Sequence, residues 1–84
     1  MLDRIVENII ENYGEVTFLK ADGFDDAVIG YDEQSIRLIY SVSKCIEILI
    51  NDGLSFTDAY EHFYYNVKGS YMGEKTPIWC IDNF

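Results

Sequence analysis

Residues 35–53, SIRLIYSVSKCIEILINDG, decide how this chain folds. The stretch admits two readings. One is a single long helix. The other is a strand at 36–41 followed by a helix at 42–52, and the local pattern favours it. Ile36, Leu38 and Tyr40 alternate with Arg37 and Ser41, and the segment is β-branched and aromatic, which suits a half-buried strand. From Val42 the period changes. Val42, Cys45, Ile46 and Leu49 recur at helical spacing, and Ile48 and Ile50 widen that apolar face. Ser41 or Ser43 can accept a hydrogen bond from the first free N–H groups of the helix. Gly53 can close it.

Working outward, Ser55 opens a last helix in the same way, with Asp58 three residues on. Ala59, Phe63 and Val67 define its inner face. Tyr60, Tyr64 and Tyr65 widen its aromatic surface, and Gly69 fits a terminating position. The tail after it is too apolar to be idle. Pro77 can start an edge strand at 78–81 that joins the sheet. On the other side of the central stretch, residues 26–31 (DAVIGY) suit a strand in which Gly30 signals a bulge. Asp22-Gly23 reads as a turn. Residues 15–21 (EVTFLKA) alternate as another strand. Residues 2–13 form an amphipathic helix with Leu2, Ile5, Val6, Ile9, Ile10 and Tyr13 on its apolar side and Gly14 at its end. The expected fold is α+β: one domain over 1–84, with a small antiparallel sheet of three or four strands packed against three helices.

Composition narrows the function. Fifteen acids stand against six Lys and Arg, for a net charge of −9 over 84 residues. Such a chain repels phosphate, which disfavours direct nucleic-acid binding and anionic membranes. A basic or mixed protein surface is compatible with it. Hydrophobic residues at 49% allow a packed core, and aromatic residues reach 15%, with seven Tyr, five Phe and one Trp. A core this small cannot hold every ring, and exposed Tyr and Trp often anchor interfaces. The two cysteines, Cys45 and Cys80, form no CxxC pair and no disulfide framework. The N-terminus lacks the basic and apolar regions of a signal peptide. No apolar run approaches the length of a membrane span. A cytoplasmic setting is the expectation.

Catalytic and metal-binding groupings are weak. His62 is the sole histidine and has no nucleophile beside it in the sequence. Cys45 falls on an inner helix face, where a thiol is a small hydrophobe. Nothing near Cys80 marks it as activated. Asp22, Asp25 and Asp26 cluster at a turn, but their spacing is not that of a calcium loop. The loop from Gly69 through Gly73 to Pro77 has no phosphate-binding signature. Asp3, Glu7 and Glu11 form an acidic stripe one turn apart. The expectation is a protein without cofactor or resident metal that is not an enzyme. It binds another protein, with Asp22, Asp25, Asp26, Tyr64, Tyr65, Tyr71, Glu74 and Trp79 as candidate contacts. Self-association as a homodimer would be one form of this. The alternative is a small-molecule or divalent-ion binder built on the aspartates or the tail loop.

Three segments carry a resemblance: residues 23–29 (GFDDAVI), residues 41–49 (SVSKCIEIL), and above all the closing pattern Tyr65-Asn66-Val67 with Gly69, Tyr71, Gly73-Glu74 and Thr76-Pro77-Ile78. With this GxYxGExTPI-like ending, the chain resembles a family of small bacteriophage and prophage proteins. The likeness spans residues 14–81. It implies a context, a phage accessory protein made in the host cytoplasm; in that context the expected protein-binding role would be inhibition of a host or defence factor. It supplies no activity and no functional residue.

Overall fold

The computed structural model describes residues 1–16, 18–69 and 73–84. Among these residues three α-helices and a three-stranded sheet form an α+β fold. Helix α1 spans Leu2–Tyr13, strand β1 Val28–Tyr31, strand β2 Leu38–Ser41 and helix α2 Val42–Asn51. Helix α3 spans Phe56–His62 and continues as a π-helical turn over Phe63–Val67, and strand β3 spans Ile78–Cys80.

The central stretch folds as strand then helix, with no residue between them. Ser41 ends β2 and caps α2: its Oγ accepts the Lys44 N–H at 3.1 Å. Val42, Cys45, Ile46 and Leu49 are buried on the inner face of α2, as their spacing requires. Ser55 caps α3 by accepting the Asp58 N–H at 3.2 Å. Gly14 ends α1 at φ 76°, and Gly53 follows α2 at φ 112°, a backbone region that glycine enters without steric cost.

β2 is the middle strand, in the order β1-β2-β3. It pairs antiparallel with β1, through Val28↔Tyr40, Gly30↔Ile39 and Tyr31↔Leu38. The register slips by one residue between Val28 and Gly30, which is the bulge that Gly30 signals. β3 joins the other edge of β2 in parallel, through Ile39↔Ile78, Tyr40↔Trp79 and Ser41↔Cys80. The sheet is therefore mixed rather than antiparallel. A parallel neighbour needs a long crossover, and here α2 and α3 supply it.

The expected strand at 26–31 begins only at Val28, because Asp25–Ala27 form a 3-10 turn. Two other expected strand segments differ further. Residues 18–21 form no strand, and neither do Glu15 and Val16. The Ala21 N–H donates instead to the buried Tyr40 hydroxyl at 2.8 Å. That bond pins the segment across the core without a strand partner. The second difference is at Ile36, which precedes β2 and takes φ 56°. A β-branched residue rarely adopts this conformation. Its surroundings hold it there: the side chain is buried, and its N–H donates to Asp32 O at 2.8 Å. The Asp32 carboxylate closes the same turn, accepting from the Ser35 N–H at 2.8 Å and the Ser35 hydroxyl at 2.6 Å. These bonds hold the Asp32 carboxyl below its usual range.

The core gathers Ile9 of α1, Val28, Leu38 and Tyr40 of the sheet, the inner face of α2, and Ala59 and Phe63. Burying one such large apolar side chain contributes roughly 1.5–3 kcal/mol. No buried side-chain polar atom lacks a partner among the described residues.

The chain's end closes on the start of α2. Asp82 accepts from the Ser41 hydroxyl at 2.6 Å and from the Ser43 N–H at 2.8 Å. Ser41 thus donates to Asp82 while accepting from Lys44. A carboxylate at a helix N-terminus is favoured by the helix dipole. Its hydrogen bonds, first of all the one from Ser41, hold the Asp82 carboxyl below its usual range.

Two outcomes follow for stability. Ser41→Ala removes the cap and orphans one donor and one acceptor, and should cost about 1–2 kcal/mol. In a domain of this size the thermal midpoint should fall by about 5–10 °C, measured by circular dichroism. For Asp82, the folded-state pKa lies below the unfolded one. Its contribution is therefore present above the ordinary value of 3.8 and is lost as pH falls through the folded value. The stability gap between wild type and Asp82→Asn should be full at neutral pH and should shrink below about pH 4. A gap independent of pH would exclude this role for the carboxylate.

Candidate functional site

Helix α3 and its π turn carry three aromatic residues at i, i+4 spacing on the outer side: Phe56, Tyr60 and Tyr64. This spacing stacks side chains one turn above another. Phe56 and Tyr60 lie 6.2 Å apart between ring centroids, and Tyr60 and Tyr64 lie 4.6 Å apart, both pairs tilted. Lys68 extends the row, with its Nζ 5.9 Å above the Tyr64 ring. A second row, Thr57, Glu61 and Tyr65, runs beside the first. The two rows line an open groove of about 520 Å³.

The turn at Phe63–Val67 differs from the helix before it. The Lys68 N–H reaches back five residues, to Phe63 O at 2.8 Å. Such π turns occur mostly as single turns and often at functional sites. Here Phe63 remains fully buried, Tyr64 is half-buried and Tyr65 is 79% exposed.

The outer rings rest on the core through a continuous aromatic path. The buried Tyr40 ring lies 5.3 Å from Trp79, Trp79 lies 5.3 Å from Phe63 at 87°, and Phe63 lies 5.3 Å from Tyr64 at 90°. Near-perpendicular and offset contacts are the favoured aromatic geometries. The path ends at Phe56, which is 64% exposed. Phe56 also borders a neighbouring depression formed with Ile46, Ile50 and Phe84. Exposed apolar surface therefore runs past α3 toward the chain's end.

The structure disperses the expected contact residues. Tyr64 and Tyr65 share the groove. Trp79 lies behind it, half-buried, as a link in the aromatic path. Asp22 borders a separate small hollow with Lys20, Phe24, Val67 and Trp79. Asp25 and Asp26 lie in an exposed turn facing Met1, Leu2 and Asp3. Glu74 is exposed in the turn before β3. Tyr71 lies outside the described residues. Phe56, Thr57, Tyr60 and Glu61 complete the groove and were not among the expected contacts. Their signal in the sequence is the four-residue aromatic spacing from Phe56 to Tyr64.

The chemistry-bearing groups are scattered. Among the described residues, no three His, Cys, Asp or Glu side chains stand together as a metal site. His62 is exposed, and its Nδ1 lies 3.3 Å from the Asn66 side-chain amide. Cys45 is fully buried, and burial pushes its thiol up to about 12. A thiol so disposed supplies almost no thiolate at neutral pH.

Cys45 should accordingly resist alkylation in the native protein and react only on unfolding. Mass spectrometry of iodoacetamide-treated protein, with and without denaturant, checks this. Native labelling of Cys45 as fast as that of a free thiol would contradict its burial. No protein-family model, curated protein or solved structure matches this chain.

Proposed function

We propose that this protein acts by binding another protein through the aromatic face of α3, rather than by catalysis. The observation that supports this most is the exposed ring row Phe56-Tyr60-Tyr64 with Tyr65 beside it. Exposed aromatic and apolar surface has a cost in water that a partner can relieve, and contiguous patches of it mark interaction sites. Rings also lose little conformational entropy on binding, which makes Tyr an effective anchor. The aromatic path to Tyr40 holds the row in place before any partner arrives, and a preformed surface binds at lower cost.

Charge supports the same reading. At net −9, a basic or mixed surface is the natural complement. The resemblance to phage and prophage proteins suggests where such a partner would be met: the cytoplasm of a bacterial host, with the partner a host enzyme or defence component.

Immobilised wild-type protein should capture a saturable partner from bacterial lysate. Phe56→Ser and Tyr65→Ser should each weaken capture about tenfold or more, the scale of a lost anchor residue. Both side chains are largely exposed, so the variants should keep the wild-type circular dichroism spectrum. Undiminished capture by both variants would sink the assignment to this face.

A further inference from the structure

We infer that the groove on α3 takes a segment bearing arginine or lysine from the partner protein, with its cations on the Tyr60 and Tyr65 rings beside Glu61. This inference rests on the protein-binding reading above and specifies the chemistry of the occupant.

Local charge is the first argument. Between Lys44 and Lys68 the chain has no Lys or Arg, but it carries Glu47, Asp52, Asp58 and Glu61. All four are exposed. Glu61 itself lines the groove, in the row between Thr57 and Tyr65. Rings that flank a carboxylate suit a side chain with an apolar stem and a cationic tip. The stem covers ring faces, and the tip meets both the ring quadrupole and the carboxylate. Arginine fits best, because its planar guanidinium stacks on rings while donating to an oxygen.

The second argument is a contact already within the chain. Lys68 places its ammonium 5.9 Å above Tyr64, at the end of the same row. The row thus accepts a cation at one ring, and its remaining members, Phe56 and Tyr60, continue in the same stacked arrangement away from it.

Charge also argues against a second copy of this chain as the occupant. Each copy carries −9, and the groove of each would offer the other a carboxylate, Glu61, and no basic residue. Like charges brought together across an interface oppose association.

The test titrates the full chain with a short arginine-rich peptide and with a matched peptide carrying glutamate in place of arginine. Fluorescence of Trp79, the only tryptophan, and amide chemical shifts report binding. The arginine-rich peptide should bind saturably, with affinity falling as salt rises. Glu61→Lys should weaken it about tenfold or more, and Tyr65→Ser comparably. The glutamate peptide should not bind. Equal binding of both peptides, or unchanged affinity in both variants, would overturn the inference. So would light scattering that shows a dimer dissolved by Phe56→Ser, since a second copy would then cover the face. Competition separates this inference from the reading beneath it. If lysate capture depends on Phe56 but the arginine-rich peptide does not displace the partner, protein binding stands and the basic segment falls.

Discussion

The hydroxyl of Ser41 is where strand, helix and tail are joined. This residue ends the central strand, pairs across it with Cys80, caps α2 through Lys44 and donates to Asp82. The side chain is almost wholly buried. A buried hydroxyl must satisfy both its donor and its acceptor, because an unmet buried polar group is costly. Here each capacity has one partner, and each partner belongs to a different part of the fold. The direction of α2 relative to the sheet and the return of the tail are therefore set at one point. A threonine could keep both bonds but would add a methyl group to a filled site; alanine keeps neither.

From that point order passes outward along the rings. β3 lies against β2 partly because the tail is fastened at Asp82, and β3 carries Trp79. Trp79 contacts both Tyr40 and Phe63. Phe63 then sets Tyr64, and Tyr64 sets Tyr60. Tyr40 meanwhile fixes the irregular segment before β1 through Ala21. The exposed face of α3 thus belongs to the same packed structure as the core. Its outer rings keep defined positions because each rests on another that is more buried. A small domain with a modest core thus extends its packing to an exposed face.

Much of this was legible in the sequence where the signal is local. Ser55 read as a cap and Ser41 as one of two candidate caps with Ser43; Gly14 and Gly53 read as helix ends and Gly30 as a bulge, because each depends on a few neighbouring residues. The order strand-then-helix at 36–52 was legible from the change of period at Val42. What depends on distant partners was not. Residues 15–21 alternate like a strand, yet Ala21 donates to a hydroxyl nineteen positions on. Ile36 reads as the first residue of a strand and is instead held at positive φ by its burial and the Asp32 turn. The parallel placement of β3 follows from how α2 and α3 carry the chain back, which no stretch of β3 encodes. At the candidate site, the surplus of tyrosine pointed to Tyr64 and Tyr65. The aspartates cluster in sequence at a turn but lie apart from the groove, and Phe56 follows a cap, where only its spacing to Tyr60 and Tyr64 signals a place on the outer face.

The π turn shows why the site falls where it does. A regular α-helix through Phe63–Val67 would form a Val67-to-Phe63 bond; the observed bond runs from Lys68, one residue later. An extra residue in a turn gives up regular hydrogen bonding and usually persists only where packing compensates. Phe63 supplies that packing, locked between Trp79 and Tyr64. With Phe63 fixed inward, the widened turn holds Tyr64 against the row and Tyr65 out in solvent, next to Glu61. Lys68 then follows with its ammonium over Tyr64. Two adjacent tyrosines, one half-buried and one exposed, with a cation above the first and a carboxylate beside the second, thus come from a single irregular turn. The irregularity is anchored on its buried side and free on its outer side, and a partner's side chain would meet it on the free side.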